Sequence, residues 1–168
     1  MIAKGHILKE LNKLNTLYGI VGSQGKNEEA DFYAKLAFLE LCGWVEDSID
    51  DLALRCVKRK GVIQLLNDFS KKLGYVYGFE YDRHFRSVLF QTIGAVGLEK
   101  VDKKVDSKQR ALLEAALNGL WQKRKRHAHS SLRRSARYLD APSVTLGQLG
   151  IIYTGLVEYE KKMRACGY

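Results

Sequence analysis

Apolar residues in the first twenty positions recur at Ile7, Leu8, Leu11, Leu14 and Tyr18, while Lys4, Lys9 and Lys13 fall largely off that line. This spacing of three and four predicts a helix over about residues 2 to 20. Gly22-Ser23-Gln24-Gly25-Lys26-Asn27 reads as a loop. From about residue 28 the pattern of Phe32, Leu36, Leu39, Trp44, Leu52 and Cys56 continues to Arg59 without a Pro, which predicts one helix of about thirty residues with Gly43 as the place for a kink. Gly61 interrupts, and Val62, Leu65, Leu66, Phe69 and Leu73 predict a short helix closing at Gly74. Tyr75 to Tyr81 alternates aromatic residues with glycine, and it is too isolated to found a sheet, so it reads as loop.

Asp82 is placed to cap a helix carrying Phe85, Val88, Leu89 and Ile93 to about Val96, followed by a charged loop from Glu99 to Asp106. Asp106 or Ser107 then starts a helix with Leu112, Leu113, Ala116, Leu117, Leu120 and Trp121 inward, running directly into Lys123-Arg124-Lys125-Arg126-His127-Ala128-His129. Residues 130 to 141 form a connector. Asp140-Ala141-Pro142-Ser143 opens a last helix bearing Leu146, Leu149, Ile152, Tyr153, Leu156 and Tyr159, which closes through Glu158, Glu160, Lys161 and Lys162. Its Gly147, Gly150 and Gly155 point to close helix approach, within the bundle or at a dimer interface. The sum is an all-α, single-domain, up-and-down bundle of five to six helices spanning residues 1–168, with no internal repeat.

Charge changes this picture. The chain has 28 Lys and Arg against 19 Asp and Glu, a formal +9. Positions 123, 124, 125, 126, 133, 134 and 137 supply seven of the cations within residues 121 to 140, against Asp140 as the one acid there. A helix C-terminus favours cations on its own account, and a solvated cationic end is the plain reading. A solubility surface would mix both signs, so binding to a phosphate backbone is the reading preferred here. The cysteines at 42, 56 and 166 are odd in number, widely spaced and without a zinc pattern, which suits a reducing compartment. Lys4, Lys9, Glu10 and Lys13 break up any signal-peptide core. The longest uncharged run, Ala141 to Val157, carries Pro142 and three glycines and is too short and polar for a membrane span. A cytoplasmic protein without a membrane partner is expected.

Within the cluster, His129 has a side chain that titrates near neutrality among fixed cations. Cleaving RNA without a metal needs a base for the 2′-hydroxyl, an acid for the leaving 5′-oxygen and a cation for the pentacoordinate phosphorane. His129 and Arg124 supply two of these, and a second copy across a symmetric dimer supplies the third. On an ideal helix five residues turn about 500°, which points Arg124 and His129 roughly 140° apart. The pairing is therefore expected between two subunits, with the helix fraying by about residue 130. His127, three residues from Arg124, is expected to be a solvated neighbour able to assist. No cofactor or metal is called for.

Glu46, Asp47, Asp50 and Asp51 stack like charges one turn apart on the long helix, so something must offset them. The choices are a solvated face, an electrostatic partner that orients Arg124 or His129, or a divalent metal site; Glu46 is the residue expected to make the orienting contact. His84 reads as a packed or surface histidine. Tyr75, Tyr77, Phe79 and Tyr81 either stack on unpaired bases or close the end of the bundle, the second being preferred. A phosphate-binding Gly-rich loop, a G-x-S-x-G elbow and a zinc-protease helix are all missing from the sequence.

The Leu-rich helix ending in Arg124-Lys125-Arg126-His127-Ala128-His129 resembles the R-x4-6-H signature of the HEPN (higher eukaryotes and prokaryotes nucleotide-binding) superfamily. The Ala-His ending and Tyr138-Leu139-Asp140-Ala141-Pro142-Ser143 leading into a final helix resemble its RiboL-PSP or MAE-type branch. The resemblance implies a helical bundle that dimerises so that two motifs face one cleft, acting as a metal-independent endoribonuclease. It also implies a setting in toxin–antitoxin systems or antiviral defence, beside an antitoxin that can be of nucleotidyltransferase type. Arg124 and His129 would be catalytic, Glu46, Lys125 and His127 supporting, and Lys123, Arg126, Arg133 and Arg134 would hold RNA phosphates. Lys125 stands where the superfamily usually has Asn, Asp or His. A HEPN-like module that binds RNA or a nucleotide without cutting it, or docks on an antitoxin, is the alternative.

Overall fold

The turn after the first helix is set by backbone chemistry that only glycine meets easily. Helix α1 (Gly5–Ser23) ends where Gly25 takes φ +74, allowing the Gly25 amide to reach the Gly22 carbonyl at 3.1 Å and the Lys26 amide to reach that of Val21 at 3.0 Å. This pair of bonds is a Schellman closure, and it satisfies carbonyls that the helix end would otherwise orphan. The chain reverses at once into α2 (Asn27–Arg59), whose 33 residues extend roughly 50 Å. Glu28 and Glu29 in its first turn, with Lys58 and Arg59 in its last, complement the helix dipole.

The computed structural model describes residues 1–59, 78–127 and 139–168. Within them follow a short π-helical turn (Tyr81–Arg86), α3 (Ser87–Asp102), α4 (Ser107–His127) and α5 (Pro142–Ala165), an all-α bundle with no strand among the described residues. α1 and α2 pack as a hairpin, and α5 lies against α1, α2 and α4. Ile7, Leu11, Leu41, Leu52, Leu113, Leu117, Leu120, Leu149, Ile152 and Leu156 fill the space between them. Among the described residues no helix is long and apolar enough to cross a membrane.

Several expected boundaries move. The first helix lies three residues later than its pattern suggested. α2 continues as helix through Gly43, and Phe32, counted in its inward stripe, is 56% exposed; Leu8 and Leu112 are exposed as well. Asp82 is not a cap: the amides of His84 and Phe85 both turn back to the carbonyl of Glu80, so the chain enters α3 through a widened turn in which Asp82 is already inside. The charged loop expected from Glu99 is helix as far as Asp102. Gly94, at φ +73 and ψ 171, breaks α3 and re-aims it, which brings Leu98 and Val101 into the core and leaves Glu99 and Lys103 paired on the outside at 2.7 Å. Asp106 does cap α4, accepting the Gln109 amide at 2.9 Å. Phe79 and Tyr81 are buried, closing the bundle; the helix expected at 62–74, with Tyr75, Tyr77 and most of the 130–141 connector, lies outside the described residues.

A polar chain ties the π-helical turn to the bundle. The hydroxyls of Tyr81 and Tyr159 are 2.6 Å apart, Tyr159 donates to Asp102 Oδ1 at 3.0 Å, and Arg86 meets Asp102 Oδ2 at 2.6 Å. Burial pushes both phenols above the ordinary range for tyrosine, so both stay protonated. The Tyr81 amide also donates to the Asn118 side chain on α4 at 2.9 Å. These bonds fix residues 78–81 beside the last turns of α4.

Of the three glycines in α5, one accounts for the helix contact. A Cβ at Gly155 would stand 2.7 Å from Leu113 Cβ, whereas Gly147 and Gly150 face open space. Gly155→Ala is expected to destabilise by about 1–3 kcal/mol, because the clash is with a core Cβ that cannot swing away. Gly147→Ala on the same helix is expected to stabilise by about 0.5–1 kcal/mol through helix propensity. Urea denaturation of the two variants reads both signs, and a neutral Gly155→Ala would refute the close approach.

Candidate nucleic-acid interface

The inward stripe of α4 does not stop where its leucines stop. Leu113, Leu117 and Leu120 are buried, and the same spacing of three and four continues to Arg124 and His127. Position 124 therefore points a guanidinium into the bundle, and an inward cation needs an anion. Glu46 on α2 supplies it. Arg124 Nη2 donates to Glu46 Oε2 at 3.1 Å, and Nη1 stands 3.1 Å from Oε1 in ion-pair contact without a hydrogen bond, with both side chains under a third exposed. The guanidinium also stands 5.9 Å from the Phe79 ring centre and 5.7 Å from that of Trp121.

His127 is 1% exposed and meets Phe38 edge-on with ring centres 5.4 Å apart. The expectation of a solvated neighbour is corrected, because a residue seven positions from Leu120 on the same stripe faces the core. Lys125 and Arg126 point outward, with the Lys125 ammonium 5.9 Å from the Trp121 ring centre. Lys123 pairs with Asp140, which ties the end of α4 to the chain entering α5. His129, Arg133 and Arg134 lie outside the described residues. The structure thus brings Arg124 and Glu46 together, buries His127, and exposes Lys125 and Arg126.

Burial raises the Glu46 carboxyl above its usual range, against the pull of Arg124, with Asp47 adding repulsion and the Gly78 amide opposing it. One turn further along α2, burial and the neighbouring Asp47 and Glu46 push Asp50 up to about 6. One turn back, burial pushes the Cys42 thiol up to about 12 despite Arg124, so it is no nucleophile at neutral pH. Among the described residues no three His, Cys, Asp or Glu side chains are grouped to hold a metal ion.

Phe79 and Trp121 flank Arg124, Gly78 and His84 pack against Trp121, and the sequence reading assigned none of the four to the site. Gly78 takes φ +122, and a Cβ there would stand 2.7 Å from the Trp121 ring and 2.9 Å from that of His84. A glycine before an aromatic, facing a tryptophan one turn before the motif arginine, was the available signal. His84 meets Trp121 with ring centres 5.0 Å apart.

Glu46→Gln keeps the shape of the side chain but removes its charge, and is expected to cost about 1–3 kcal/mol in urea denaturation. Arg124→Met, which removes the cation instead, is expected to cost less than Glu46→Ala. Asp50 titrates higher folded than unfolded, so its ionisation weighs against the fold above about pH 6. Asp50→Asn is accordingly expected to raise the melting temperature at pH 7.5 and to lose that advantage as pH falls below the unfolded carboxylate value. A gain that persists at low pH would contradict the assignment. Compared with known proteins, the chain matches no family model, no curated sequence and no solved structure.

Proposed function

We propose that this chain is a HEPN-like, metal-independent endoribonuclease of the cytoplasm, working as a homodimer. The observation that carries the reading is the state of Arg124: a guanidinium held by a carboxylate at the end of a helix whose outward face bears Lys125 and Arg126. A cation with fixed geometry in a basic surface is what a phosphorane requires, since charge develops there only in the transition state. Glu46 accepts one guanidinium hydrogen, from Nη2, and leaves the others for phosphate oxygens.

In this scheme His129 takes the proton of a ribose 2′-hydroxyl, and the 2′-oxygen attacks phosphorus. Arg124 stabilises the phosphorane. The bond from phosphorus to the 5′-oxygen then breaks, and a second copy of His129 across the dimer returns a proton to that oxygen, leaving a 2′,3′-cyclic phosphate. Lys123, Lys125, Arg126, Arg133 and Arg134 hold flanking phosphates, a contribution that weakens with salt. Glu46 orients Arg124, and buried His127 anchors the helix end that presents it. A toxin restrained by an antitoxin, or a defence nuclease, is the setting proposed for such an activity. The second reading is a module that binds RNA without cutting, favoured by the hold of Glu46 on both terminal nitrogens of Arg124.

Labelled RNA incubated in EDTA with the wild type is expected to be cut to cyclic-phosphate ends, with Arg124→Ala and His129→Ala slower by about a hundred- to a thousandfold. Intact RNA with a salt-sensitive band shift would replace the nuclease by the binding module. Intact RNA with no shift would reject both.

A further inference from the structure

We propose that His84 is a fixed hydrogen-bond donor that positions RNA beside Arg124, by donating from Nε2 to an acceptor oxygen of the substrate. The inference rests on the RNA reading above and adds to it a residue from a different part of the fold.

Three observations carry it. The first is the tautomer. The amide of Glu80 donates to His84 Nδ1 at 3.1 Å, so that nitrogen is an acceptor and the ring proton resides on Nε2. His84 makes no second hydrogen bond among the described residues, which leaves the Nε2 proton available to a ligand. Protonating Nδ1 would break the Glu80 bond, and burial, against a nearby Glu80 carboxylate, lowers the basicity of the ring further. The side chain therefore stays a neutral donor at neutral pH instead of shuttling a proton.

The second observation is rigidity. The imidazole is wedged between the Trp121 indole, ring centres 5.0 Å apart, and the backbone of Gly78, where a Cβ would come within 2.9 Å of the ring. A donor clamped on two sides loses little entropy on binding, which is what a positioning residue needs. The clamp is itself held in place, since Tyr81 is tied to Asn118 and Tyr159.

The third observation is place. Trp121 is the neighbour that His84 shares with Arg124 and Lys125, whose charged groups stand 5.7 and 5.9 Å from the indole. A dinucleotide is long enough to meet the guanidinium with one phosphate and the imidazole with the next residue. The acceptor oxygen belongs either to the backbone or to a base carbonyl. The two sources differ experimentally, because adenine carries no oxygen and uracil carries two.

The test uses full-length protein in EDTA and 2′-O-methyl RNA of about ten nucleotides, which cannot be cut, as oligoadenylate and oligouridylate. His84→Phe keeps a ring against Trp121 and removes the donor; His84→Gln keeps a donor and removes the ring. His84→Phe is expected to weaken binding roughly tenfold, and His84→Gln to recover most of the loss. A loss on both oligomers identifies a backbone oxygen, and a loss on oligouridylate alone identifies a base carbonyl. Wild-type protein with isotope-labelled histidine gives a readout independent of whether the variants fold: the Nε2 resonance of His84 is expected to move when oligouridylate is added, and to move with oligoadenylate as well where the acceptor is a backbone oxygen. On oligouridylate, equal affinity of His84→Phe and wild type, an equal loss in both variants, or a stationary Nε2 resonance in the bound complex overturns the role of His84 and leaves the RNA reading intact. Failure of the wild type to bind either oligomer removes both.

Discussion

A guanidinium placed among the leucines of a helix stripe has to be neutralised where it stands, because the helix cannot rotate one residue outward without exposing Leu117 and Leu120. The Arg124–Glu46 ion pair meets that demand. It joins α2 to the last turn of α4. It also gathers Cys42 and Asp50 into one partly desolvated strip of α2, whose groups are held in their neutral forms more readily than usual. Phe79 and Trp121 flank the guanidinium, with ring centres 5.9 and 5.7 Å away, and both members of the ion pair stay under a third exposed.

The second fixed point is the segment entering α3. It has little regular structure of its own, yet it carries Gly78, Phe79 and His84, three residues packed against Trp121. Asn118 and the tyrosine pair hold it to α4 and α5 with hydrogen bonds that are partly or wholly buried. Positioning here comes from polar groups satisfied in the core, while the affinity of the helices for one another comes from apolar area. The proposed RNA surface thus sits where the two kinds of interaction meet.

The helices were legible because their apolar residues keep the period, and α2 matches its expected bounds to within a residue although Phe32 falls outside its inward face. What was not legible follows a pattern. Counting apolar positions alone ends the α4 stripe at Leu120, although Arg124 and His127 occupy its next two places. His127 therefore reads as a solvated neighbour, when the period of the stripe turns it and Arg124 inward. The π-helical turn escaped because an aspartate before an apolar run looks like a cap, and only the Glu80 carbonyl receiving two amides reveals otherwise. The break at Gly94 escaped because a helical glycine is common, and its positive φ is decided by how Leu98 and Val101 reach the core. Glu46 was legible as a contact for the basic segment, since stacked carboxylates need compensation wherever they are.

The two tyrosines joined at 2.6 Å look interchangeable and are not. Tyr159 has one hydrogen and gives it to Asp102, so the hydrogen between the phenols must come from Tyr81. The row therefore has a sense, running from the segment before α3 through α5 to the carboxylate at the end of α3, where Arg86 terminates it. Tyr81 is its source and Tyr159 its relay. Losing the source would leave Tyr159 still bound to its anion, whereas losing the relay would strand a hydrogen on one side and a lone pair on the other.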